Sequence, residues 1–123
     1  MSECVFCQIV RGKAPAKLVQ EWPDAVAFVP LGPVVPEDRG HVLVVPRTHV
    51  EDFTTDPAVT AATMAAAAEL GAELRAAGRD LNLITSAGPA ATQTVFHLHV
   101  HLVTRRPEDG LTLPWTGQER AAS

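Results

Sequence analysis

The chain has 123 residues, of which 46% are hydrophobic and 20% charged, and a formal net charge of -4. That length supports one domain around one core, spanning residues 1–123, and no apolar run approaches the ~20 residues of a membrane span. Without a dense basic stripe a nucleic-acid polymer is not an expected partner, whereas a small anion needs only a local site.

In chain order, the stretch MSECVFCQIVRGKAP carries Glu3, Arg11 and Lys13 and no secretory apolar segment, which implies a cytoplasmic, reducing setting. Ser2 can cap a short helix from Glu3 to Val10, placing Cys4 and Cys7 on neighbouring positions of one turn. RGKAPAK ends it. Two short strands follow, Lys17 to Glu21 and Ala25 to Val29, turning at Pro23 and Asp24. GPVVPEDRG reads as a loop from its Gly and Pro content, and HVLVVP as a third strand stopped by Pro46. From Asp56 to Arg79 an alanine-rich run predicts the main helix, with Asp56 as cap, Pro57 in the first turn and Gly78 near its end. LNLITSAG predicts a fourth strand, PAATQ a loop, and Thr94 to Val103 a fifth strand. The tail from about residue 106 has no periodicity. Two helices and about five mostly antiparallel strands define an α+β domain.

The fifth predicted strand contains TVFHLHVHLV, with histidines at every second position: His97, His99 and His101. Alternate residues of a strand share a face, so the three imidazoles form a row while Phe96, Leu98, Val100 and Leu102 face the other way, toward a core. One histidine on a strand is an ordinary half-buried polar residue. Three in register, separated only by apolar residues, point to binding or reaction on that face. An imidazole near neutrality is a good nucleophile at phosphorus, provided a hydrogen bond to its other nitrogen fixes the tautomer. Neighbouring imidazoles and backbone amides can then neutralise phosphoryl oxygens. The preceding loop SAGPAATQT, with Gly88, Gln93 and Thr94, suits close approach of donors to an anion.

The pair Cys4-x-x-Cys7 fits a redox motif, two unremarkable thiols or half of a zinc site. Further candidate ligands are His41, His49 and the histidine row. The row cannot chelate one ion with all three members, because its ends lie ~13 Å apart at ~3.3 Å per residue. At least one histidine therefore remains for other work.

QTVFHLHVHLV closely resembles the histidine triad (HIT) motif of a family of nucleotide hydrolases and transferases. CVFCQIVRGKAPA is similar to the start of its branch of histidine triad nucleotide-binding proteins, and GHVLVVPRTH to the segment preceding its long helix. The resemblance covers nearly the whole chain. It implies a HIT-like fold and a homodimer whose sheets join across a two-fold axis. It further implies His99 as the nucleophile at the α-phosphorus, His101 as a contact to the phosphoryl oxygens and His97 as support. By the same resemblance Cys4, Cys7, His49 and His97 hold a structural Zn2+. His41 stands near the phosphate, Gln93 and Thr94 touch the phosphate and leaving group, and Ser86 lines the substrate site. Val5, Phe6, Ile9, Phe28 and Leu31 match the positions that sandwich the base, although ordinary core packing explains apolar residues there equally well.

Some positions depart from the family pattern. Pro30 replaces an acidic residue that grips the ribose hydroxyls, Ser86-Ala87-Gly88 replaces Asn-x-Gly, and Thr92 replaces a glycine. The loop PVVPEDRGH is two residues longer than usual. The expected function is a hydrolase that releases a nucleoside monophosphate from an amine, phosphate or nucleotide leaving group through a covalent nucleotidyl-histidine. The alternatives are a nucleotidyl transferase, or a nucleotide-binding or interaction module without turnover.

Overall fold

The computed structural model describes residues 4–114. Five strands, β1 (Lys17–Glu21), β2 (Ala25–Val29), β3 (His41–Pro46), β4 (Asp80–Ile84) and β5 (Val100–Arg105), form one sheet in the order β1-β2-β3-β5-β4. All neighbouring pairs are antiparallel. β5 is therefore interior and β4 is an edge. This is the α+β fold expected from the sequence.

One face of the sheet is covered by α2 (Pro57–Ala76). Its start is dictated locally: Asp56 Oδ1 accepts from the Ala58 N–H at 3.0 Å, and Pro57 sits where no helical N–H bond is needed. Thr63, Ala66, Ala67, Leu70, Gly71 and Leu74 recur at helical spacing and are buried. They pack on Ala25, Ala27, Val42, Val44, Leu98, Val100 and Leu102. Small alanines let the helix approach closely. Ala77 caps the C-terminal end, before the left-handed Gly78.

The other face carries α1 (Val5–Val10), which turns Phe6 and Cys7 inward. Phe6 packs edge-on against Phe28, with ring centroids 5.5 Å apart, in a cluster with Val26, Leu43 and Val45. The helix begins later than expected. Cys4 stands at its N-cap without a side-chain cap bond, and the expected cap Ser2 lies outside the described residues, as does Glu3. Beyond β5, residues 106–113 form turns and bends with no strand.

The fifth strand departs from expectation. β5 begins at Val100, so only His101 of the three histidines lies on it, while His97 and His99 occupy the irregular approach. The reason is non-local. Val44 pairs with Val100, and continuing the register would set Leu98 against Pro46, which has no N–H to donate. The Leu98 N–H instead donates to the Val50 carbonyl at 2.8 Å, and the Pro46 carbonyl meets the His97 ring at 2.9 Å. Alternation consequently fails upstream: Leu98, Val100 and Leu102 are buried as expected, but Phe96 is 42% exposed. The fourth strand likewise stops at Ile84, short of the expected Gly88.

Candidate active site

On the face opposite α2, register places Leu43 of β3 beside His101 of β5, and His41 beside Val103. Although only His101 is on a strand, the rings still form a row. The centroids of Phe6 and His99 are 5.2 Å apart, those of His99 and His101 5.2 Å, and those of His101 and His41 5.3 Å.

Each ring has a fixed tautomer. His99 Nδ1 lies 2.8 Å from the His97 carbonyl, which can only accept, so Nδ1 carries the proton and Nε2 presents its lone pair. Thr85 Oγ1 donates to the His99 carbonyl at 2.7 Å and ties this residue to the end of β4. At His41, Nδ1 accepts the Val34 N–H at 3.1 Å, so Nε2 carries the proton and donates to His101 Nδ1 at 3.0 Å. His101 then keeps its proton on Nε2, opposite in sense to His99. The row thus presents an acceptor nitrogen beside a donor nitrogen.

Burial favours the neutral form of both His41 and His101. Burial, followed by the nearby His99 and His41, lowers the His101 pKa to about 4, and burial lowers that of His41. The loop before His41 makes this arrangement possible. A Cβ on Gly40 would lie 2.4 Å from Val35 Cγ1 and 2.6 Å from its carbonyl oxygen, so only glycine allows the chain to fold back and bring Val34 to the ring.

At the other end of the row His97 is fully buried, its ring edge-on to Phe6 with centroids 5.9 Å apart. Its Nε2 donates to Pro46, leaving Nδ1 as a ligand atom. Nδ1 lies 3.1 Å from His49 Nδ1, 3.5 Å from Cys7 Sγ and 3.6 Å from Cys4 Sγ, and Cys7 Sγ is 3.3 Å from His49 Nδ1. With bonds of about 2.0–2.1 Å to nitrogen and about 2.3 Å to sulfur, a tetrahedral site has edges of about 3.3 Å between nitrogens and about 3.5 Å between nitrogen and sulfur. These four distances are close to those edges, and all four donor atoms lie within 4.8 Å of one another. Burial, reinforced by Cys4, pushes the Cys7 thiol pKa up, so a thiolate there calls for a cation. The residues fit a closed four-ligand metal site, with the Pro46 carbonyl orienting one ligand from behind.

The remaining expected residues separate into groups. Phe6 and Phe28 are buried in the small cluster under α1, with Ile9 packed beside them. Val5 is 46% exposed and Leu31 entirely so, leaving Leu31 outside the packed wall. Gln93 is buried, but its amide is committed to the loop: Oε1 accepts from the Gly88 N–H at 2.8 Å, and Nε2 donates to the Glu51 and Val95 carbonyls. It shapes the approach to the triad. Thr94 is exposed on that loop, and Ser86 shares a groove with His41 and His101.

Sequence reasoning missed three contributors: the Val34 N–H, the Pro46 carbonyl and Thr85. The first two are backbone groups with no side-chain signal. Thr85 lay unmarked within the predicted fourth strand.

Residues 11–108 match the HIT domain family. The chain is 32% identical over 113 residues to the adenylylsulfatase HINT3 of Arabidopsis thaliana, covering 89% of this chain and 56% of that protein. The present chain thus spans little more than half of that relative. It is 30% identical over 124 residues to the adenosine 5'-monophosphoramidase HNT1 of Saccharomyces cerevisiae, covering 94% of this chain and 72% of that protein. Among solved structures, a Zn-bound histidine triad family protein from Mycobacterium smegmatis superposes with a TM-score of 0.74 at 40% identity, covering 89% of this chain and 80% of that one.

Proposed function

The chain belongs to the HIT domain family, and on that premise we propose that it hydrolyses nucleotide conjugates through a covalent nucleotidyl-histidine on His99. The observation that carries this reading is the hydrogen bond from His99 Nδ1 to the His97 carbonyl, which turns an unprotonated Nε2 outward. In the first step Nε2 forms a bond to the α-phosphorus as the bond to the leaving group breaks. His101 Nε2–H points a donor at the same group. A bound phosphoryl anion favours imidazolium, raising the low His101 pKa so that the ring can pass a proton to the departing amine or oxygen. Water then attacks phosphorus, the bond to His99 breaks, and the proton from water returns to His101.

The substrate is a nucleoside monophosphate joined to an amine, phosphate or nucleotide, its base resting on the cluster of Phe6, Ile9 and Phe28. Val5 stands at the rim of that cluster. We assign Thr94 and Ser86 to the phosphate end, Ser86 sharing the groove of His41 and His101, and Gln93 to holding the loop. We assign Zn2+ to Cys4, Cys7, His49 and His97. Its contribution is structural, because four protein ligands leave no open position for water. It ties α1 to the segment before β5, and so fixes His99 through its neighbour. Two ligating thiols suit a reducing, cytoplasmic setting. Among the described residues no helix is long and apolar enough to cross a membrane.

The test is the His99→Ala variant with an adenosine 5'-phosphoramidate. Turnover should fall by roughly three orders of magnitude or more while AMP binding persists, since the side chain supplies the covalent step and not the pocket. A variant retaining near-normal turnover would reject the mechanism. The transferase reading would be favoured by an adduct that forms but does not turn over in water.

A further inference from the structure

A groove of ≈ 430 Å³ continues from the histidine row along the strands, away from α1. Ile84 pairs with His101 and Asn82 with Val103, so these side chains share one face of the β4–β5 pair and form the floor. Val34 of the long loop and Leu111 and Leu113 of the tail close the sides.

The far end is built and internally satisfied. Arg105 donates from Nε and Nη2 to Asp109, from Nη1 to Asn82 Oδ1 and from Nη2 to the Leu111 carbonyl. Four of its five N–H groups are engaged and its charge is matched by Asp109. This arginine clamps the tail over the groove. It is not a free cation awaiting phosphate.

We infer that this groove receives the leaving group of the proposed hydrolysis, and that it selects amines carrying an apolar chain over polyphosphate or a second nucleotide. The inference rests on the hydrolase reading and deepens it. Direction follows from the row: Phe6, His99, His101 and His41 succeed one another, and the groove opens at the His41–His101 end. Displacement at phosphorus places the leaving group opposite the attacking His99 nitrogen. With the base against the Phe6 cluster, that group departs past His101 into the groove. Aliphatic Val34, Ile84, Val103, Leu111 and Leu113 line it beside the uncharged polar Asn82, Ser86, Thr92 and Thr112, so most of the gain on binding comes from apolar contact. A polyphosphate would meet uncharged side chains and an arginine already neutralised by Asp109, with no unmatched cation among these lining residues.

The test is a series of adenosine 5'-phosphoramidates whose leaving amines are ammonia, propylamine and pentylamine, with diadenosine tetraphosphate alongside. kcat/KM should rise by roughly fourfold for each methylene that becomes buried, and the dinucleotide should be the poorer substrate. Ile84→Thr keeps a β-branched residue on the edge strand, and Leu111→Ser alters the tail. Each should flatten the rise along the amine series, read as the pentylamine-to-ammonia ratio within that variant. A flat series in the wild-type protein, a dinucleotide that outruns the amines, or an unchanged ratio in both folded variants would overturn the inference. If no phosphoramidate turns over, the hydrolase reading falls. The groove is then judged by wild-type Kd values for the same series, which must tighten with chain length for it to stand.

Discussion

Nε2 of His41 stands 3.0 Å from Nδ1 of His101, and the Val34 N–H holds the remaining nitrogen of His41 at 3.1 Å. One backbone amide therefore sets the tautomer of two imidazoles in sequence. Both are buried enough to resist protonation, His101 down to about 4. The unfolded chain protonates histidine near 6.5, so it binds more protons than the native protein across the interval below that value. Stability contributed by these neutral rings should be complete above about pH 6.5 and lost progressively as pH falls toward about 4. Urea titrations between pH 7 and 4.5 should show this slope, and His101→Gln should make it shallower. Equal slopes in the two proteins would reject the assignment.

A second prediction concerns the metal. Purified protein should carry about one zinc per chain. At free zinc about 100-fold above Kd, ligation adds about 2.7 kcal/mol of stability, or roughly 10 °C in Tm for a domain of this size. A strong chelator should remove that increment, as should His49→Ala, which deletes an exposed ligand without opening the core. An unmetallated protein with Cys4 and Cys7 joined as a disulfide would refute the site.

Pro30 yields a third. A carboxylate there would accept bonds from ribose hydroxyls, whereas proline offers neither a side-chain acceptor nor a backbone donor. The Glu37 carboxylate pairs with Arg106, and the Asp38 carbonyl accepts from Arg79 Nη1 at 2.6 Å, holding the loop toward the end of β5. AMP and deoxy-AMP should bind with similar affinity. Pro30→Asp should tighten AMP selectively by about tenfold or more, tenfold being what one hydrogen bond to a charged group gives at the low end of about 1.5–3 kcal/mol. Calorimetry on the two nucleotides decides it, and strong ribose preference in the natural protein would sink the idea.

The edge strand supports a fourth. Among the described residues nothing pairs with the outer edge of β4, and Leu83 and Ile84 on it are 39% and 40% exposed. Such an edge invites pairing with a second copy. Sedimentation should show a homodimer at micromolar concentration, and charge introduced by Leu83→Lys should weaken it. A monomer at that concentration would exclude the dimer.

Where the information is local, the elements could be read directly. Asp56-Pro57 marks the start of α2, and short continuous apolar runs bounded by turn residues mark β2 and β3. The start of β5 could not be read that way. It depends on Pro46 lying opposite Leu98 across the sheet, a pairing invisible along either segment alone. The metal set shows the same division: Cys4-x-x-Cys7 is evident, but spacing does not select His49 and His97 from five histidines. That choice needed the family resemblance, and the convergence of four donor atoms gives it a physical basis. The fixed tautomers depend on the Val34 amide and the His97 carbonyl, backbone groups that carry no side-chain signal.

The central claim is that His99 becomes covalently attached to the nucleotide. Rapid mixing of the protein with an adenosine 5'-phosphoramidate, a basic quench and intact mass spectrometry should reveal one adenylyl group per chain. Fragmentation should locate it on His99, with none formed in His99→Ala. Turnover without any such adduct, or an adduct on another histidine, would contradict the account.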